Sequence, residues 1–121
     1  MPAAVSAMQS RGYAFQFHRE EDPYWESSSE LEGWTFRVYN DGGFAVGGRL
    51  DKDRNAQTEA SADFFEALGL TPDQARVTVK VTVDAMASSD GEASVCDQGL
   101  CCNAQVVQAQ QLYLWICKPQ P

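Results

Sequence analysis

The sequence predicts an α+β fold of about five mostly antiparallel strands, in the order βββ-α-ββ, with one main helix packed on the sheet. Several segments alternate apolar and polar side chains, which is typical of half-buried strands, and one segment repeats apolar residues at helical spacing. The 121 residues, 44% of them hydrophobic, suffice for one core. We therefore expect a single domain over residues 1–121, with residues 1–11 as a flexible arm and residues 118–121 as a tail.

The first half of the chain predicts three strands. They cover residues 12–18, 33–40 and 44–50. The last two form a hairpin, because the Asn-Asp-Gly-Gly turn at residues 40–43 tolerates positive φ at low cost. Residues 19–32 are rich in acids and serines and predict a loop between the first strand and this hairpin.

One helix is predicted after the hairpin. Residues 51–57 are polar and predict a loop, and residues 58–68 place apolar side chains on one side of a helix that ends at Gly69. Thr71 and Gln74 then match a capping box, from which we expect only a short helical turn.

Two further strands are predicted in the last third of the chain. Valines at every second position predict a strand over residues 76–84. Residues 85–103 are small and polar and predict a loop that holds three cysteines. Residues 104–118 predict a long final strand, and its end, residues 112–117, is apolar on both faces and therefore central in the sheet.

Net charge limits the partners that the protein can bind. The chain carries 17 Asp and Glu against nine Lys and Arg, a net charge of −8 with histidine neutral. Such a surface repels phosphate backbones and anionic lipids, so we expect neither direct nucleic-acid binding nor membrane binding. It suits a basic protein partner, although acidity also serves solubility alone. With no run of membrane-span length and no signal-peptide pattern, we expect a cytoplasmic protein; the oligomeric state stays open.

The predicted loop over residues 19–32 is the strongest functional feature. It concentrates acids around an adjacent tyrosine and tryptophan, which either fold back onto the core or anchor an interface. Acids around exposed aromatic rings suit a basic partner, because charge speeds the encounter and the rings supply affinity. The predicted partner-binding residues are Glu20, Glu21, Asp22, Tyr24, Trp25, Glu26, Glu30 and Glu32.

The four cysteines are Cys96, Cys101, Cys102 and Cys117. Their spacing has neither the paired knuckles of zinc sites nor a C-x-x-C redox motif, and adjacent cysteines point apart in extended backbone. We favour free, partly buried thiols and keep disulfides and metal binding as alternatives. If disulfides form, a bond from Cys96 to Cys101 or to Cys102 closes a short loop, and Cys117 can then pair with whichever of these two remains.

Two further features are weak candidates for a site. Asp51, Asp53 and Asn55 have the alternate spacing of a calcium loop, but Ala56 stands where that loop needs glycine, so we favour a solvated loop without metal. The lone histidine, His18, could act as a base, yet the chain contains no hydrolase, metalloprotease or phosphate-loop motif. The sequence therefore favours a non-catalytic role, without catalytic residues or cofactor.

Residues 33–44, Gly-Trp-Thr-Phe-Arg-Val-Tyr-Asn-Asp-Gly-Gly-Phe, resemble a short stretch of the ArdB/KlcA antirestriction proteins. The resemblance covers about a tenth of the chain, does not extend to the cysteine-bearing half, and implies an antagonist. We predict an acidic, non-catalytic protein-binding module of the immunity or anti-defence type. It inhibits a basic partner protein, and such partners include proteins that themselves bind nucleic acid. The alternatives are a cysteine-based metal or redox module, and a small-ligand-binding domain or enzyme that uses the open sheet face and His18.

Overall fold

The computed structural model describes residues 1–27, 34–49, 54–107 and 112–120, with residues 34, 54–59 and 112 described by their backbone. Within these ranges the elements are α1 (Ala3–Ser10), β1 (Phe15–His18), β2 (Tyr24–Ser27), β3 (Trp34–Tyr39), β4 (Phe44–Arg49), α2 (Arg54–Leu68), α3 (Pro72–Ala87), β5 (Glu92–Asp97), β6 (Leu100–Val107) and β7 (Leu112–Pro119). None of the described helices is long and apolar enough to cross a membrane.

The strands form one antiparallel sheet in the order β1-β2-β3-β4-β7-β6-β5. The α+β class with an antiparallel sheet is confirmed, but the described part of the chain contains seven strands instead of about five and three helices instead of one main helix. The single strand predicted over residues 104–118 is wrong, because its described residues belong to two strands, β6 and β7, which pair antiparallel with each other. β7 lies between β4 and β6, which confirms the predicted central position of residues 112–117. The edges of the sheet are β1 and β5.

The two faces of the sheet differ in what covers them. On one face, here called the inner face, Phe36 of β3 stacks on Phe64 of α2 with ring centroids 4.6 Å apart, and Trp115 of β7 lies 5.8 Å from Phe65. The opposite face, here called the open face, carries partly exposed side chains such as Leu114. The buried core residues that the helices contribute are Ala4, Val5, Met8, Ala60, Phe64, Val77, Val81 and Ala85.

Residues 3–10 form a helix where we expected a flexible arm. Val5 and Met8 lie three positions apart on one side of α1, and both are fully buried. Arg11, just after the helix, forms ion pairs with Asp63 and Glu66 of α2. The hydrogen bond to Glu66 is the main reason why the pKa of Arg11 lies above its ordinary value.

The strand predicted over residues 76–84 is wrong, because this segment belongs to the 16-residue helix α3. Thr71 Oγ1 accepts a hydrogen bond from the backbone N–H of Gln74, and the Gln74 side chain accepts one from the backbone N–H of Thr71. This complete capping box starts a long helix instead of one turn. Val77 and Val81 are four positions apart, so they share the buried side of a helix as well as one side of a strand.

Three predicted loops contain regular structure. Residues 24–27 form β2 inside the predicted acidic loop, and α2 begins at Arg54 inside the predicted loop over residues 51–57. The predicted loop over residues 85–103 holds β5 and the start of β6. A tight turn joins these two strands, with positive φ at Gln98 (52°) and Gly99 (78°).

Candidate functional site

Three consecutive acids occupy the turn between β1 and β2, at one edge of the sheet. Glu20, Glu21 and Asp22 are exposed, and no ion pair joins them to another residue in the described part of the chain. We call these three residues the acidic turn. Arg19, next to Glu20 in sequence, offsets part of this charge, but neighbouring carboxylates outside ion pairs repel one another, so the turn keeps a negative field available to a cationic partner.

Tyr24 does not project from a loop as the sequence suggested. It is 8% exposed, and its ring stacks on His18 with centroids 4.9 Å apart. The guanidinium carbon of Arg37 lies 4.5 Å from the Tyr24 ring centroid, and the Tyr39 ring is 5.6 Å away. The ring therefore packs within the open face and offers little surface for an interface.

Trp25 points to the inner face and pairs with Phe17 of β1. Trp25 is half-buried against the core, whereas Phe17 is 38% exposed, and the two ring centroids are 5.1 Å apart. This pair lies beside the acidic turn, because β1 enters that turn and β2 leaves it. Sequence reasoning missed Phe17, although the alternation of Phe15 and Phe17 near a strand end could have indicated it.

Glu26 belongs to a structural cluster on the open face. Its carboxylate accepts a hydrogen bond from Nε of Arg37, its direct neighbour across β2 and β3. Partial burial disfavours the charge of Arg37, but hydrogen bonds to Tyr39 and Glu26 outweigh this, so the pKa of Arg37 lies above its ordinary value. Glu26 is thus already neutralised, and Glu30 and Glu32 lie outside the described residues.

The other described acids have local partners that the acidic turn lacks. Those in ion pairs, besides Glu26, are Asp63, Glu66, Asp73 and Asp84. Those that accept hydrogen bonds from neighbouring groups are Asp41, Asp90, Glu92 and Asp97. For Asp90, the hydroxyl of Ser88 is the main cause that holds its pKa below the ordinary value. Among the described acids, those of the acidic turn therefore have the fewest partners within the protein to offset their negative charge.

The open face contains a shallow groove along β4. This strand presents the small residues Ala45 and Gly47 to that face, which leaves space between the side chains of β3 and β7. Depressions of about 370 and 200 Å³ adjoin β4, and a third of about 320 Å³ lies over β5, β6 and β7. All three have Leu114 in their walls. His18 lines none of these three depressions, so the groove and the lone histidine do not form a common site.

All four cysteines are paired in the structure. Cys96 is bonded to Cys101 and Cys102 to Cys117, so the expectation of free thiols is wrong. The pairing follows from register, since each bond joins residues directly opposite on neighbouring strands. As disulfides, the four sulfurs offer no thiolate to a metal.

No group of three or more His, Cys, Asp or Glu side chains within the described residues could hold a metal ion. Of the calcium-loop positions, Asp51 and Asp53 lie outside the described residues. Asn55 lies in the first turn of α2, where only the backbone is described.

Comparisons with known proteins identify no relative. No protein-family model matches the chain, and neither the curated proteins nor the solved structures give a significant match. The family that residues 33–44 resemble is therefore not shown, and function is argued from the geometry alone.

Proposed function

We propose that this protein is a non-catalytic binding module that inhibits a basic partner protein through the acidic turn and the adjacent Phe17–Trp25 pair. One observation carries the proposal. Three exposed carboxylates without ion-pair partners in the described chain stand beside a partly exposed aromatic pair at the edge of the sheet.

The two parts of this surface supply different components of binding. The carboxylates of Glu20, Glu21 and Asp22 attract cationic surfaces over about 8 Å at physiological salt, which raises the rate of encounter. The Phe17 and Trp25 rings then lose exposed apolar area on contact, which is typical of the residues that dominate interface affinity. Tyr24 and Glu26 pack against neighbouring side chains on the open face and do not belong to this binding surface.

The kind of partner follows from the chemistry of the turn. A row of carboxylates resembles the phosphates of a nucleic acid in charge, so it suits the cationic surface of a protein that itself binds nucleic acid. An antagonist of the immunity or anti-defence type would cover such a surface.

The two disulfides bear on where this antagonist acts. The sequence predicted a cytoplasmic protein, but cytosolic reductants keep most thiols reduced, and structural disulfides persist in oxidising compartments. We propose action in an oxidising compartment. Acid quenching of intact host cells, alkylation under denaturing conditions and peptide mass spectrometry should find Cys102 and Cys117 blocked from alkylation; free thiols at these two buried positions would contradict this location.

Charge reversal tests the proposed binding surface. In the turn variant, Glu20, Glu21 and Asp22 are each replaced by Lys. In the control variant, Glu66, Asp73 and Asp84 are each replaced by Lys, which raises the net charge by the same amount at exposed ion pairs that contribute little to stability. Circular dichroism first establishes that both variants fold.

Proteins captured from the native host by each form are then compared by quantitative mass spectrometry. We expect basic proteins that the wild type and the control variant retain and the turn variant loses. Calorimetry on such a partner should show an affinity loss of about ten-fold or more for the turn variant, with weaker salt dependence. Equal capture and equal affinity for all three forms would refute the proposal.

A further inference from the structure

The two disulfides lie in contrasting environments. Cys102 and Cys117 are 1% and 0% exposed and lie on the inner face within the core. Cys96 is exposed and Cys101 half-buried, and both lie on the open face at the edge hairpin of β5 and β6. A reductant in solution can therefore reach the Cys96 sulfur in the folded protein, but not the buried pair.

The exposed bond joins strands that other interactions already hold together. β5 pairs with β6 over its whole length, from Glu92 opposite Gln105 to Asp97 opposite Leu100, and the tight turn at Gln98 and Gly99 connects the two strands. The bond spans only five positions in sequence, whereas Cys102–Cys117 spans 15 and joins β6 to β7. Opening of the exposed bond should leave the hairpin and the core in place.

A cation stands beside the exposed bond. Lys118 of β7 lies directly opposite Cys101 of β6, so the two side chains share the open face as direct neighbours. We expect the ammonium group of Lys118 to favour the departure of Cys101 as a thiolate, because a stabilised leaving thiolate speeds exchange. Asp97, the acid next to Cys96 in sequence, points to the inner face.

We propose that Cys96–Cys101 is a thiol–disulfide exchange site that dithiols reduce reversibly while Cys102–Cys117 stays oxidised. One thiolate of the dithiol attacks Cys96 Sγ, the Cys96–Cys101 bond breaks, and Cys101 leaves as a thiolate next to Lys118. The second thiolate of the dithiol attacks the dithiol's own sulfur in this mixed disulfide and releases Cys96 as a thiolate. Two electrons pass to the protein, the dithiol becomes a disulfide, and its two protons end on Cys96 and Cys101.

This inference concerns a different part of the molecule from the acidic turn and does not depend on the proposed function. Its first test needs no variant. The oxidised full chain is incubated with dithiothreitol without denaturant and quenched with acid at intervals. Each quenched sample is then alkylated in denaturant, so that buried thiols also react, and peptide mass spectrometry follows each cysteine pair separately.

We expect Cys96–Cys101 to be reduced at least about ten-fold faster than Cys102–Cys117, because access limits exchange. The near-ultraviolet circular dichroism should be unchanged after this selective step, and oxidised glutathione should restore the bond. Equal rates for both bonds, earlier reduction of Cys102–Cys117, or loss of the folded spectrum would overturn the proposal.

A matched pair of variants tests the contribution of Lys118. Lys118→Gln removes the charge beside Cys101, and Lys80→Gln removes an exposed charge on α3. We expect Lys118→Gln to slow reduction of Cys96–Cys101 about three-fold or more and Lys80→Gln to leave it unchanged. Equal rates in the two variants would overturn the assignment of Lys118 as the group that promotes exchange.

Discussion

At the scale of single residues, the buried side chain of Ser27 takes the place of a backbone hydrogen-bond acceptor where β2 and β3 separate. The described register pairs of these strands end at Glu26 opposite Arg37. One residue further, Ser27 Oγ accepts a hydrogen bond from the backbone N–H of Phe36 at 2.8 Å, and both residues are buried. A buried N–H without an acceptor is costly, so this hydroxyl permits the strands to diverge inside the core.

Ser27→Ala should therefore destabilise the protein. We expect a decrease of about 1–3 kcal/mol in the free energy of unfolding, because the N–H of Phe36 loses its acceptor and cannot reach water. Ser94→Ala, on the exposed face of β5, serves as the matched control and should change stability by about 0.5 kcal/mol or less. Urea denaturation measures both variants, and an equal effect would mean that the buried hydrogen bond contributes nothing.

At the scale of secondary-structure elements, α3 shows how one sequence pattern fits two structures. Valines at every second position satisfy the period of a strand, but Val77 and Val81 within that series also lie four positions apart, and Ala85 continues this spacing. In the helix, Val81 is fully buried, whereas Val79 and Val83 are 58% and 56% exposed. The capping box at the start of α3 and the packing of one side on the core favour the helix over the strand propensity of valine.

This arrangement predicts a large loss of stability for one Val→Ala substitution in α3 and almost none for another. Val81→Ala removes two buried methyl groups and should lower the free energy of unfolding by about 2 kcal/mol. Val79→Ala removes exposed methyl groups and improves helix propensity, so the expected change is within about 0.5 kcal/mol. Both variants are measured by urea denaturation; a larger loss for Val79→Ala would indicate that this segment is not the helix described.

Local signals in the sequence predicted their elements well. The Asn-Asp-Gly-Gly turn forms as expected, with φ of 93° at Gly42, and Gly69 ends α2 with φ of 74°. The sequence also indicated that the acids between β1 and β2 lie in an exposed turn, because exposed carboxylates in a turn need no distant partner. In these cases the information lies within a few neighbouring residues.

Elements that depend on distant partners were not predictable in the same way. Tyr24 and Trp25 lie in a strand because β1 and β3 flank them, whereas the six acids and three serines of residues 19–32 suggested a loop. In β6, small side chains alternate between buried and exposed positions, but cysteine and alanine are weak indicators of a strand. The disulfide pairing likewise required the register of three strands, which the cysteine spacing does not contain.

At the scale of the whole molecule, the net charge of −8 is unevenly distributed. Described acids on α2 and α3 form ion pairs, whereas most acids without ion pairs in the described chain flank the edge strands: Glu20, Glu21 and Asp22 beside β1, and Asp90, Glu92 and Asp97 around β5. Asp41, in the turn between β3 and β4, is the exception. Charge at both edges opposes edge-to-edge association of sheets. Only the β1 edge combines this charge with the Phe17–Trp25 pair, which is why we place the binding surface there.

The two disulfides should contribute unequally to the stability of the β5–β6–β7 side of the sheet. Cys102–Cys117 closes a 15-position segment and should contribute about 3 kcal/mol through restriction of the unfolded chain, whereas the five-position bond should contribute about 2 kcal/mol or less. We therefore expect Cys102→Ala with Cys117→Ala to lower the free energy of unfolding more than Cys96→Ser with Cys101→Ser. Urea denaturation without reductant measures both, and a larger loss from removal of the exposed bond would show that the edge hairpin, not the core, depends on its covalent link.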